Sequence, residues 1–448
     1  MHKKIIFVIF GLFCFSNLTR AQITDTIGST VVKIDSLVGF TGVAENWPWD
    51  LCWGPDNNLW FTVGDKICRY DTTLHSVDTV FKRTSQLCNI MSIAFHPNFS
   101  TNPYIYATID TANYYYSYSG GPIVLYRYNY SASGDSLYNE TPFLAWGHPG
   151  EHCGARLMIS SDNYLYCTTS EYSYANDIPG NLNGRVLRIN LDGTVPSVNI
   201  SGDYPITKGH RNPQGIVELP NGNIIVSEFG QLVDELNLIQ EYKNYGWPAF
   251  DGFDCFYPDS CTSPTYIHED PIDTAMRPPS GIAYYNHPAI PELQGCILQA
   301  ILSFGGYQGG MVASKLNGAM DDILSDVHYF KGEYLRWRDI CVSPDGKVYA
   351  ITNDRNIPVI RVIYNPNYYI GIEEYSKLTF KLYPNPAEDF ITIDSEKELD
   401  TWKIISVDGK VVMTGKSSLN KFQIEILSLV PGIYFFHTKD GSTKFVKT

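Results

Sequence analysis

The feature that most constrains this 448-residue chain is a phrase that keeps returning along it. An apolar strand runs into a turn of Pro, Asp, Asn or Gly, and a second strand follows that ends in small or acidic residues. The copies are WDLCWGPDNNLWFTVGD (49–65), MSIAFHPNFSTNPYIYATID (91–110), ARLMISSDNYLYCTTSE (155–171), PQGIVELPNGNIIVSEFG (213–230) and RDICVSPDGKVYAITND (338–354). A sixth, SGIAYYNHPAIPELQGCILQAILSFG (280–305), has a longer turn. Their spacing, roughly 40 to 70 residues, is the scale of one propeller blade. One such hairpin cannot cover its own apolar face, whereas sheets packed radially cover one another. Unrelated hairpins in a sandwich would have no reason to share a phrase. The reading is an all-β chain in which residues 23–365 form a six-bladed β-propeller, with strand ends near the axis converging from distant positions.

Composition agrees. Aromatics make up 14% of the chain, Tyr alone numbers 32, and there are 36 Gly and 26 Pro. Aromatics pack well on pleated surfaces, and Gly and Pro set turn dihedrals. The net charge of −14 repels a polyanion, which sets nucleic acid aside as a partner.

The first 22 residues read as a signal peptide: Lys3 and Lys4 supply the positive start, and Ile5 to Phe15 supply an apolar stretch too short to span a bilayer. No later segment reads as a span. Losing Cys14 with the signal leaves nine cysteines, and export permits disulfides. Cys255 and Cys261, in the loop-like DGFDCFYPDSCTSP, are the expected pair. Cys52, Cys68, Cys167 and Cys341 fall in strand-like runs as small buried hydrophobes. The repeat stops after residue 365. Residues 366–377 read as a linker, and 378–448 as alternating strands turning at DGK and KDG, which suits a small Ig-like β-sandwich.

Residues 35–365 resemble the soluble glucose and aldose sugar dehydrogenases that use pyrroloquinoline quinone (PQQ), which are six-bladed propellers. The resemblance rests on AFHPNFSTNPYIY (94–106), GRVLRINLDGTVP (184–196), GHRNPQG (209–215), ELNLIQEYKNYGWP (235–248) and RWRDICVSPDG (336–346), in family order. The tail resembles the C-terminal sorting domain of type IX secretion, on YPNP (383–386), the DGK turn and LVPGIYFF (429–436). It implies a transport address, a secreted or cell-surface destination reached through the periplasm, and type IX machinery as partner.

Oxidising a sugar at its anomeric carbon removes a hydroxyl proton and a hydride. Side chains cannot accept hydride, so a cofactor must, and a base titrating near neutrality suits the proton. The resemblance assigns that base to His152 in GEHCGARL (150–157), with Glu151 beside it. It assigns contacts to tricarboxylate PQQ to Arg211, Asn212, Arg336 and Arg338, a role Arg suits because its planar fork pairs with carboxylates and stays charged. It also makes Arg211 catalytic beside His152, as the group that with Ca²⁺ stabilises negative charge developing on the quinone oxygen. Arg336 and Arg338 also point one way from a strand. It assigns Ca²⁺ to the backbone carbonyls of Gly230 and Gln231, donors that suit a hard cation. An aldose and an external electron acceptor are the implied partners.

The chain departs from the family in three places. It has Gly-Gln where glucose dehydrogenases have Gly-Pro. The family's cofactor-binding Lys has no counterpart in LSFGGYQGG (302–310), where Tyr307 or Gln308 stands nearest. The sugar-contact stretches read TSQLCNI (84–90) and TSEY (169–172). A non-catalytic secreted propeller that binds carbohydrate or protein is the alternative reading.

Overall fold

A computed structural model describes residues 23–39, 48–83, 88–111, 121–147, 150, 152–171, 180–231, 233–248, 266–267, 277–303, 308–331, 336–352, 359–368, 380–395, 399, 401–406, 411–438 and 441–448. The signal-peptide stretch, Cys255, Cys261, Glu151 and Tyr307 lie outside these. Two compact units divide the chain, Met1–Pro366 and Asn367–Thr448.

Among the described residues the structure is all strand apart from one 3-10 turn at Pro291–Leu293. The six copies of the phrase open six antiparallel sheets, whose first strands are Pro48–Trp53, Asn89–Phe95, Leu157–Ile159, Pro213–Glu218, Pro279–Tyr285 and Trp337–Val342. Each first strand abuts the next, and the sixth abuts the first, so the sheets stand in a ring as propeller blades do. The sixth sheet is completed by strands from the other end of the unit: Thr30–Gly39 pairs with Val359–Tyr364, and Ile23–Ile27 pairs with Thr30–Gly39 in turn. Joining the two ends of the unit in one sheet closes the ring.

Burial follows from radial packing. Second strands lie between neighbouring sheets and are buried on both faces, as in Leu59–Val63, Ile224–Glu228 and Val348–Thr352. Outermost strands such as Ser76–Lys82 are mostly exposed. The repeated turn is geometric as well as textual: Asn57, Asn163, Gly222 and Gly346 hold the same place in four copies, and all have positive φ. Asn and Gly tolerate that region best, which is why the turn uses them. In each the N–H of that residue returns to the carbonyl three back, at 2.9–3.1 Å.

One position of the repeat faces the axis. It is occupied in order by Asp50, Ser92, Arg156, Gly215, Gly281 and Asp339. The Leu51 amide donates to Asp339 at 2.7 Å, the Ile93 amide to Asp50 at 2.6 Å, and the Leu157 amide to Ser92 at 3.0 Å. Arg156 pairs with Asp50 and with Asp339 (2.7 Å), and its Nε donates to the Gln214 carbonyl at 3.0 Å. Glycine is required at position 281, where a Cβ would stand 1.7 Å from the Asp339 carboxylate. The hub is therefore a buried ionic cluster that ties distant parts of the chain together. Burial, against the pull of Arg156, pushes the Asp339 carboxyl up.

Cys68 and Cys167 are buried, and Cys52 and Cys341 are half-buried; all four thiols are free. The second unit has a three-stranded sheet (Phe380–Tyr383, Phe390–Ser395, Lys421–Glu425) and a four-stranded one (Thr401–Ser406, Val411–Lys416, Gly432–Thr438, Gly441–Lys447). Phe380, Ile391, Ile393, Ile404, Ile426, Phe436 and Phe445 form their common core.

Candidate active site

Each expected site residue except Gly230 and Gln231 sits where the chain enters the first strand of a sheet. His152 precedes the third sheet, Arg211 and Asn212 the fourth, and Arg336 and Arg338 open the sixth. First strands all run the same way along the axis, so these residues share one end of the ring.

His152 is buried, and its Nδ1 lies 3.4 Å from the Glu171 carbonyl. A carbonyl only accepts, so Nδ1 carries the proton and Nε2 the lone pair. Burial, helped by the charge of Arg211, lowers its pKa to about 4, so the ring is neutral at physiological pH. The Glu171 amide in turn donates to the Arg211 carbonyl at 2.8 Å.

Arg211 owes its position to Glu228. One carboxylate oxygen of Glu228 accepts the Arg211 and Asn212 amides, the latter at 3.2 Å, and the other accepts His210 Nδ1 at 2.9 Å and Asn237 Nδ2 at 3.3 Å. His210 is fully buried, stacked on Tyr245 at 4.5 Å, and serves the turn rather than a ligand. The Arg211 guanidinium lies 5.2 Å from the Trp247 ring and donates to the carbonyls of Phe229 (2.9 Å) and Gly230 (2.7 Å). Gly230, one of the two expected calcium ligands, therefore already serves a cation. Gln231, the other, is exposed.

Asn212 Oδ1 accepts Ser170 Oγ at 2.9 Å and Gln214 Nε2 at 2.6 Å. Arg338 is 4% exposed, with its guanidinium carbon 3.3 Å from the Trp49 ring centroid. Among the described residues no carboxylate or carbonyl accepts from it, and its Nε is buried without a partner. Burial and the like charges of Arg336 and Arg156 pull its pKa well below the usual arginine range. Arg338 also lies near enough to Cys153, the residue after His152, to oppose the upward push of burial on that thiol.

The structure thus groups His152 with Arg211, and Arg338 with Arg336, and Cys153 links the two groups. Residues the sequence reading did not single out are Glu171, Glu228, Trp49 and the hub cluster Asp50–Arg156–Asp339. A signal for the cluster was present, because its members occupy one position of the aligned repeat. Glu228 carried none, since it ends a second strand like its acidic counterparts in other copies, and Glu171 was marked only as part of TSEY.

A ring of six antiparallel sheets, each of three to five strands among the described residues, defines a β-propeller with cationic residues at its strand entries. The chain belongs to the glucose/sorbosone dehydrogenase family, which it matches over residues 45–361. Residues 381–448 match a secretion-system C-terminal sorting domain. Quinoprotein glucose dehydrogenase B of Acinetobacter calcoaceticus is 36% identical over 247 residues, which cover 46% of this chain and 51% of that protein. The matched stretch thus spans about half the length of this relative. An aldose sugar dehydrogenase of Escherichia coli is 27% identical over 251 residues, 51% of this chain and 63% of that protein. The PQQ-bound aldose sugar dehydrogenase of Streptomyces coelicolor shares the fold at a TM-score of 0.61 and 24% identity, over 74% of this chain and 98% of that one. No helix among the described residues is long and apolar enough to cross a membrane.

Proposed function

We propose that this chain is a quinoprotein oxidoreductase that oxidises an aldose or related sugar with PQQ and passes electrons to an external acceptor. The observation that carries this reading is Arg338. A buried guanidinium that meets no accepting carboxylate or carbonyl among the described residues is costly, and it fits a site built to receive an anionic group. PQQ is a tricarboxylate that, when bound, accepts hydride. Arg338, Arg336 and Arg211 would hold its carboxylates. With Oδ1 committed, Asn212 would serve it through the amide nitrogen.

His152 would take the sugar hydroxyl proton at Nε2, with the Glu171 carbonyl fixing the tautomer. A base at about 4 is fully deprotonated at neutral pH but weak. An anion paired with Arg211 would offset the charge that depresses it and bring it nearer its working range. With Arg211 in place, the Gly230 carbonyl does not fit a calcium ion, since the guanidinium occupies it and repels a dication. Ca²⁺ belongs to this reading only if Arg211 turns away to a cofactor carboxylate. The C-terminal unit would be an Ig-like sandwich that addresses the protein through type IX secretion to the surface or the medium.

The second reading, a non-catalytic propeller that binds carbohydrate or protein, draws on Gln308, exposed and neutral where the family carries a cofactor-binding Lys. Losing one charged hydrogen bond would weaken cofactor binding by about 1.5–3 kcal/mol. Titration of the purified protein with PQQ, with and without CaCl₂, separates the readings. Saturable uptake with aldose-dependent dye reduction supports the enzyme; absence of uptake transfers the case to the binding protein.

A further inference from the structure

The first strand of the sixth sheet leads away from Arg338 and ends at the turn Ser343–Lys347. That of the first sheet leads away from Trp49 and ends at Trp53–Asn57. At about 3.3 Å per residue, these turns lie roughly 15 Å along the axis from the candidate active site, on the other face of the ring. There the seam between the two sheets opens into a cavity of about 610 Å³, large enough for several sugar units.

The lining combines aromatic surface with planar polar groups. Trp53 is half-buried, tilted against Tyr349 at 5.7 Å, and its indole N–H is buried with no acceptor among the described residues. Tyr364, also in the lining, donates its hydroxyl to Asp35 at 3.0 Å. Asn57 and His75 stand exposed at the rim, and Asp345 pairs with Lys347 at 2.7 Å. Both rim residues sit at positive φ, 60° and 54°, and His75 is tied to Tyr70 by a 2.8 Å hydrogen bond.

We propose that this cavity is a second carbohydrate site, which binds a neutral oligosaccharide. A pyranose has an apolar C–H face that packs on an indole or phenol ring, and hydroxyl pairs that carboxylates and amides bind in bidentate fashion. Trp53 and Tyr364 supply the first, and Asp35, Asp345 and Asn57 the second. Two carboxylates against one ammonium disfavour polyanions, so acidic polysaccharides and nucleic acid are excluded. A site so placed would hold the secreted protein on a glycan and leave the opposite face open. The inference does not rest on the redox reading, and it stands if the chain binds no PQQ.

The test uses the full secreted chain without added PQQ, titrated calorimetrically with malto-, cello-, manno- and xylohexaose. At least one is expected to bind and to change Trp53 fluorescence. Asn57→Gly, which keeps the left-handed backbone while removing the amide, and Asp345→Asn should each weaken that binding at least fivefold, and Trp53→Ala at least tenfold. PQQ uptake, measured separately, should be the same in all three variants. Failure of all four sugars to bind overturns the inference. So does binding that Asn57→Gly and Asp345→Asn leave unchanged, since the sugar then sits elsewhere; these two surface variants decide the matter even if Trp53→Ala does not fold.

Discussion

His152 and Arg211 are held together by the main chain of one residue: the Glu171 amide donates to the Arg211 carbonyl at 2.8 Å, and the Glu171 carbonyl lies 3.4 Å from His152 Nδ1. The same pair is coupled through space, because the guanidinium adds to the effect of burial in keeping the imidazole neutral. The residue proposed to grip the cofactor therefore shares a main-chain anchor with the candidate base and reinforces the effect of burial on its protonation.

That coupling gives a pH dependence of stability with a definite sign. His152 has a folded pKa of about 4, below the unfolded value of about 6.5. Between these limits the unfolded chain binds more protons, so stability falls as pH drops from 6.5 towards 4. The full effect is about 3 kcal/mol. Urea melts at pH 7 and pH 4.5 should show this loss, and His152→Asn should remove most of the difference.

Replacing the imidazole separates chemistry from binding. His152→Ala is expected to lower aldose-dependent dye reduction by a factor on the order of 10² to 10⁴. PQQ uptake, followed by absorbance titration, should stay within severalfold. Loss of uptake and turnover together would place His152 among the cofactor's contacts instead.

Arg338 predicts opposite signs for stability and affinity. Leucine there removes a buried charge that no carboxylate among the described residues pairs with, so Arg338→Leu should stabilise the cofactor-free protein by about 1–3 kcal/mol. The same change should weaken PQQ binding by about 1.5–3 kcal/mol, or roughly ten- to a hundredfold. Thermal melts and cofactor titration read the two effects independently.

Arg156 should behave in the opposite way. It neutralises Asp50 and Asp339 in the hub, and Arg156→Met would leave two buried carboxyl groups without their cation. A loss of about 3–5 kcal/mol in urea-unfolding free energy is expected. Asp50→Asn combined with Arg156→Met should recover part of it, since a neutral amide costs less to bury.

The C-terminal unit has its own core, so its removal should leave the ring intact. A chain ending at residue 377 is expected to fold and to accumulate in the periplasm. Fractionation with immunoblotting checks this; normal appearance of the truncated chain outside the cell would remove the sorting role.

Much of this was readable in advance. The repeated phrase contained the hairpins, their left-handed turn residues and their number, because each blade solves the same local problem of burying a two-stranded apolar face. RWR and GHRNPQG singled out Arg336, Arg338 and Arg211, which the fold sets at the entries of first strands. The closing strand Thr30–Gly39 was not announced as such, since pairing between residues over 300 apart leaves no local trace. Nor was Glu228, which looks like any acidic strand end until four donors are seen to converge on it.

The division follows from the range of the forces involved. Turn dihedrals and apolar alternation act over a few residues, so the sequence alone determined an all-β chain of repeated hairpins with a separate strand-rich tail. Which charges are paired depends on neighbours brought in from other blades. Only the tertiary structure decided that Arg156 is neutralised at the hub, that Arg338 meets no accepting carboxylate among the described residues, and that the guanidinium of Arg211 holds the Gly230 carbonyl.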